Sequence, residues 1–275
     1  MGTPDTQSKP GDLKILVLKV GRLPVALISG SCVFAALAVL SDLSIPTMAL
    51  HSLPIVLVTM AAFVLNDLYD APKDRLAGAD KPVARGQVSL LATRFFAVGL
   101  MAGAVAVAAL LRQGYSLYVV VAALIAVWLY SPTSRRIPVA KGLAAAVLCC
   151  VPLAYASAVT SVRFPPALYL LLITFMVGRE LLLDVLDLPG DLKAGIRTLA
   201  AYLGPAPSRF AGWSLMAASL VALAARTDGT ARYLFVAALV SLGAAGAICR
   251  RDESKGLRWS RLTLLLGVLA IPFSV

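Results

Sequence analysis

The chain has 275 residues, of which 60% are hydrophobic and only 14% charged, and its mean hydropathy is +0.87. A soluble globular domain carries about 25% charged residues, so this composition excludes that class and points to a polytopic membrane protein. The net charge of +11 does not indicate nucleic acid, because the bases occupy short gaps between apolar runs with no aromatic-interleaved stripe.

Residues 1–13 are polar, contain Pro and Gly, and lack a cleavable signal pattern, so a disordered cytoplasmic tail is expected there. The remainder, 14–275, reads as one membrane domain. Apolar runs near the roughly 20 residues a span requires fall at 22–41, 47–67, 90–111, 115–131, 139–160, 165–186, 208–226, 230–249 and 258–275. The expected fold is therefore all-α, with nine transmembrane helices, the fourth short.

Lys and Arg placement orients these spans. Of the 25 basic residues, 21 lie before the first span or in alternate gaps, and only Arg112, Arg163, Arg226 and Arg232 lie opposite. The positive-inside rule then puts the N-terminus in the cytoplasm and the C-terminus outside. An inner or plasma membrane of bacterial type is the expected location.

Cys32, Cys149, Cys150 and Cys249 lie inside apolar runs without metal-ligand spacing and read as small buried hydrophobes. His51 is the only histidine, so one chain can build neither a His-based metal cluster nor a Ser-His-Asp triad.

The acids are concentrated. Six of the 14 Asp and Glu are Asp67, Asp70, Asp74, Asp184, Asp187 and Asp191. They form two knots, each at the end of an even-numbered span and both on the expected cytoplasmic side. On a helix Asn66, Asp70 and Asp74 fall within an arc of roughly 80°, and Asp184, Asp187 and Asp191 within roughly 60°. Carboxylates at a membrane edge are costly and are functional candidates by default. Two such faces suit Mg²⁺, which bridges a few carboxylates to substrate phosphates. Lys73, Arg75, Lys81, Arg85, Arg135, Arg136, Lys193 and Arg197 supply cations for a diphosphate, although Arg135 and Arg136 also fit a positive-inside anchor. The matching chemistry is metal-assisted loss of diphosphate from an allylic lipid and capture of the cation by an acceptor. Tyr130 is a ligand-facing hydroxyl or an interfacial aromatic. Arg22 is a candidate reader of an acceptor carboxylate or a positive-inside anchor.

Asn66-Asp67-x-x-Asp70-x-x-x-Asp74 followed by Lys81-Pro82-x-x-x-Gly86-x-Val88-Ser89 resembles the first signature of the UbiA family of membrane prenyltransferases. Arg179-Glu180-x-x-x-Asp184-x-x-Asp187-x-x-Gly190-Asp191-x-x-x-Gly195-x-x-Thr198-Leu199 resembles the second, and Tyr130-Ser131-Pro132 a third, shorter loop. The resemblance implies nine helices around a central cavity open to the cytoplasm. It also implies that Asn66, Asp70, Asp74, Asp187 and Asp191 coordinate Mg²⁺ and diphosphate, with Asp67 and Asp184 at matching positions. Lys73, Arg75, Lys81, Arg135 and Arg136 become diphosphate contacts, and Tyr130 a neighbour of the prenyl diphosphate. Pro72 clashes with the carbonyl of Leu68 in a helix and is expected to kink or end it, which puts Asp74 on the margin of helix and loop.

The expected function is Mg²⁺-dependent transfer of a polyprenyl group from its diphosphate to an acceptor, with an aromatic ring as the first expectation. A lipid alcohol such as geranylgeranylglyceryl phosphate is the alternative acceptor, and acceptor-free cyclisation is a third enzymatic reading. A cation-binding transporter or scaffold is the non-enzyme reading, opposed by span interiors nearly free of charge.

Overall fold

The computed structural model describes residues 10–274, apart from the side chains of residues 10–12, Ser131, Ser134, Arg135, Arg136 and Pro138. Among these residues the protein is entirely helical. Chain order gives α1 (Pro10–Ile15), a π-helical turn (Leu16–Val20), α2 (Leu23–Leu40), α3 (Ile45–Ala77), α4 (Leu90–Leu111) and α5 (Ser116–Arg136). A 3₁₀ turn (Pro138–Ala140) leads to α6 (Lys141–Leu148), α7 (Val151–Thr160), α8 (Pro166–Lys193) and α9 (Leu199–Leu203). Finally come α10 (Pro205–Arg226), α11 (Gly229–Cys249), α12 (Glu253–Ala270) and a 3₁₀ turn, Ile271–Ser274.

Helix begins at Pro10, so part of the segment expected to be a disordered tail is ordered; residues 1–9 lie outside the described residues. Among the described residues seven segments, rather than the expected nine, are long and apolar enough to cross a bilayer. The apolar part of α5 stops at Tyr130, before Pro132 and the terminal bases. In α8 the acids and bases of the second knot interrupt the apolar stretch. The fifth expected span is two helices. After Leu148 the chain turns through Cys149 and Cys150, and Pro152 at the start of α7 cannot continue the ladder from α6.

The outer faces expose large apolar side chains, among them Leu110, Phe210 and Tyr233, which suit acyl chains rather than water. Helix α2 occupies the middle of the bundle and feeds three apolar clusters. Cys32 and Ala36 pack with α7, α8 and α10, Val33 and Leu37 with α3, α4 and α5, and Ala26 with α3. Helices α8 and α10 meet at Gly178 and Gly212, where an added Cβ would lie 2.6 Å and 2.8 Å respectively from the other glycine's carbonyl oxygen. Small residues at a crossing let membrane helices pack backbone to backbone. Asp252 caps α12 by accepting from the Lys255 N–H at 2.9 Å, and that bond holds its carboxyl below the usual carboxylate range.

Two helices are longer than a bilayer needs. At 1.5 Å per residue, α3 (33 residues) is about 50 Å long and α8 (28 residues) about 42 Å, against a hydrocarbon core of about 30 Å. Each therefore carries its aspartates on extra turns beyond the apolar stretch.

Candidate active site

The first knot is helical throughout. Helix α3 continues through Pro72 and ends only at Ala77, so Asp74 lies on helix and shares a face with Asn66 and Asp70. Pro72 removes one donor, but the end of the helix is secured downstream. Gly78 adopts φ +66°, its N–H donates to Arg75 O at 3.1 Å, and the Ala79 N–H donates to Asp74 O at 2.9 Å. This paired closure with a left-handed glycine is the Schellman arrangement. Asn66 Nδ2 donates to Asp70 Oδ2 at 3.2 Å.

The loop after α3 folds back over this end. Val83 and Val88 are buried against Val64 and Ala71, and Arg75 Nε donates to Ala84 O at 3.3 Å. Ser89 then caps α4 by accepting from the Ala92 N–H at 3.0 Å. These anchors turn Lys81 inward. Its Nζ stands 2.9 Å from Asp74 Oδ2, outside hydrogen-bonding angles, and 3.9 Å from Asp67 Oδ1. Asp67, 2% exposed, also accepts from Arg22 Nη2 at 3.0 Å. Arg22 reaches it from a left-handed backbone (φ 48°, ψ 46°) with its guanidinium carbon 4.7 Å from the centroid of the Phe63 ring.

The second knot repeats the pattern. Asp191 lies in the last turn of α8; the Ile196 N–H donates to Asp191 O at 2.8 Å, the Gly195 N–H to Leu192 O at 3.1 Å, and Gly195 has φ +71°. Asp74 with Gly78 and Asp191 with Gly195 are thus the same local ending used twice. Lys141, the first residue of α6, donates to Asp184 Oδ1 at 3.0 Å. Lys73 joins the two knots by donating to Asp191 Oδ1 at 2.7 Å. Below that bond the helices nearly touch: a Cβ on Gly190 would lie 3.0 Å from Ala77 Cβ.

The expected basic residues divide. Lys73 and Lys81 point into the acids, and Arg22 pairs with one of them. Lys193 and Arg197 are exposed and make no ion pair among the described residues. Arg75 is exposed and committed to the loop, and Arg85 pairs with Asp80 at 3.1 Å on the surface. The side chains of Arg135 and Arg136 lie outside the described residues. Tyr130 is partly buried and lies within electrostatic reach of Glu180, Lys141, Asp70 and Asp184. Lys141 and Glu180 lie beside these acids without having been expected site residues, although Glu180 belongs to the second signature. Glu180 sits four residues before Asp184 on the same face of α8, a helical relation visible in sequence. Lys141, 43 residues before its partner, has no such signal.

Among the described residues no three acids, histidines or cysteines converge as a ready metal cluster. The donor set nevertheless fits a hard divalent ion. Asp74 Oδ2 and Asp191 Oδ2, one from each knot, are buried carboxylate oxygens without a hydrogen-bond partner, the first in ionic contact with Lys81 alone, and oxygens of this kind suit a cation. Asp70 and Asp187 make no ion pair among the described residues, so they add charge the protein does not itself offset.

An all-helical membrane protein with two opposed carboxylate knots, laced by lysines beside a largely apolar bundle, is built to handle a polyanionic headgroup on an apolar tail. Residues 26–271 match the model of the UbiA prenyltransferase family. The chain belongs to that family and is a prenyltransferase. It is 27% identical over 190 residues to the digeranylgeranylglyceryl phosphate synthase of Methanoculleus marisnigri, covering 68% of each chain. It is 29% identical over 229 residues to the synthase of the same name from Methanopyrus kandleri, covering 77% of this chain and 81% of that one. Its fold is shared with a UbiA homolog from Archaeoglobus fulgidus solved with GPP and Mg²⁺, at a TM-score of 0.66 and 18% identity over 94% of this chain and all of the other.

Proposed function

We propose that the protein transfers a polyprenyl group from its diphosphate to the hydroxyl of a lipid alcohol, a prenylated glyceryl phosphate of the geranylgeranylglyceryl phosphate type. The C1–O bond of the prenyl diphosphate breaks, and the acceptor oxygen captures the allylic cation and loses its proton. The observation that carries this reading is the Lys73–Asp191 contact at 2.7 Å, which sets two carboxylate faces against one another. The names of the curated relatives support the acceptor class.

Asn66, Asp70, Asp74, Asp184, Asp187 and Asp191 would hold Mg²⁺, which when bound neutralises charge building on the leaving diphosphate. Lys73, Lys81 and Lys141 supply mobile charged donors for the phosphate oxygens, and Arg75, Arg135, Arg136, Lys193 and Arg197 are the further basic candidates for the diphosphate. Asp67 holds Arg22 in place. Tyr130 presents its ring beside the prenyl carbons next to the diphosphate. The folded-back loop carrying Val83 and Val88 limits water at the reacting carbon.

We further place α5 and α8 in the membrane, making nine spans in one domain, with the N-terminus and site cytoplasmic and the C-terminus outside. The distribution of Lys and Arg supports this orientation.

Purified protein given Mg²⁺, geranylgeranyl diphosphate and either geranylgeranylglyceryl phosphate or a panel of aromatic acids, with products read by mass spectrometry, tests the proposal. A doubly prenylated glyceryl phosphate is expected. A prenylated aromatic in its place, or a terpene formed without acceptor, sinks the lipid-alcohol reading.

A further inference from the structure

Below the carboxylates lies a second charged cluster of opposite character. Arg179 precedes Asp187 by eight residues on α8, about 12 Å along the axis and deeper in the apolar stretch. Arg261 stands eight residues into α12, a helix that packs against both α2 and α8. The charges felt at Arg261 are those of Arg179, Arg22 and Arg258, all of the same sign.

Both guanidinium groups are underused. Arg261 makes no ion pair among the described residues, and its Nε is buried without a partner. Arg179 Nε is buried and unpartnered too; its one acid, Glu180, is 3.7 Å from Nη1, beyond hydrogen-bond distance. A guanidinium has five donors in a fixed fork. Leaving such donors buried without acceptors is strongly unfavourable, and Arg179, two turns inside the sixth expected span, is a functional candidate by default. The absence of acids around Arg261 separates this cluster from the lysine-laced knots above, because a metal-bound diphosphate needs carboxylates to hold its cations. A fork with no acid of its own, Arg261, beside one whose only acid stands beyond hydrogen-bond distance, Arg179, suits a single anion that arrives without metal.

We propose that Arg179 and Arg261, with Arg22 at their edge, form an anion subsite between α2, α8 and α12 that holds the phosphate monoester of the acceptor lipid. The inference rests on the lipid-alcohol reading for the identity of the anion. It assigns acceptor recognition to residues outside the aspartate motifs. Phosphate bound here anchors the acceptor headgroup and leaves its hydroxyl free to approach the prenyl carbon held above.

Steady-state kinetics of Arg261→Gln, Arg179→Gln and Arg261→Lys test the subsite, using geranylgeranylglyceryl phosphate and its dephosphorylated glyceryl ether as acceptors. Each glutamine variant is expected to raise the acceptor KM about tenfold or more, as loss of a charge-assisted contact does. Prenyl diphosphate KM stays near wild type, and the preference for phosphorylated over dephosphorylated acceptor collapses. Arg261→Lys recovers part of that preference. An unchanged acceptor KM, or a parallel rise in prenyl diphosphate KM, overturns the subsite. A separate melting experiment uses inorganic phosphate alone, without Mg²⁺. Stabilisation of the wild type that is lost in Arg261→Gln supports the subsite even where the lipid alcohol proves not to be a substrate. No stabilisation of the wild type overturns the subsite and leaves the prenyl-transfer reading standing.

Discussion

Lys73 on α3 donates to Asp191 on α8 at 2.7 Å, across 118 residues of sequence, and both side chains are nearly shut off from solvent. The bond fixes how far apart the ends of two over-long helices stand, and with them the two carboxylate faces. Asp191→Ala leaves Lys73 buried without its partner. Breaking a buried pair in this way costs about 3–5 kcal/mol, so the variant should melt earlier in detergent and lose turnover. An unshifted melting temperature would show that the knots are held together by other contacts.

Asp70 and Asp187 behave differently. Neither makes an ion pair among the described residues, so Asp70→Ala or Asp187→Ala removes charge aimed at ligand rather than a folding contact. Turnover should fall at least about a hundredfold, the scale of losing electrostatic stabilisation of developing charge, while expression and melting stay near wild type. Wild-type rates in both variants would refute the proposed metal site.

Chelation should separate fold from activity in the same manner. The buried acids Asp67, Asp184 and Asp191 already accept from Arg22, Lys141 and Lys73, so EDTA is expected to stop turnover without lowering the melting temperature. A large destabilisation by EDTA would mean that metal completes the fold.

Gly178 and Gly212 set the rotation of α8 against α10. Because a Cβ on either lands on the other's carbonyl oxygen, Gly178→Val must push backbones apart. Overpacking costs about 1–3 kcal/mol, and it turns the face bearing Glu180 and Asp184, so activity and stability should fall together. A folded variant with full activity would show that the crossing tolerates separation.

Gly78 and Gly195 provide a finer test. Each has positive φ and nothing within 4 Å of an added Cβ, so Gly195→Ala is limited to a backbone cost of about 1–2 kcal/mol, and Gly195→Asn should cost less because Asn tolerates this conformation. Equal losses for Ala and Asn, read by thermal melts, would point to side-chain crowding instead.

Much of this was legible in the residues. The spacing of Asn66, Asp70 and Asp74, and of Asp184, Asp187 and Asp191, placed each set on one helical face, and the apolar runs marked most of the helices. Two local features misled. Pro72 reads as a stop, yet the helix survives it because the closure that ends α3 lies at Gly78. Residues 139–160 read as one helix; Lys141–Thr160 keeps the length of one span, but the helix breaks in two before Pro152. The pairing of Lys141 with Asp184 depends on how α6 packs on α8, and tertiary contacts of that kind leave no periodic trace. The same is true of Arg261, which looks like one more cytoplasmic anchor until the lack of an acid around it is seen.

The lysines seated among the aspartates would give the proposed site the logic of an ion exchanger. On the proposed reading, substrate would not meet bare negative charge that repels it. It would meet acids already neutralised, and binding would trade those internal counter-ions for external ones. As Lys73, Lys81 and Lys141 let go of carboxylates they become available to phosphate, so one swap prepares both halves of the site. Product diphosphate leaves by the reverse trade, and the lysines that helped to hold it become its competitors for the door.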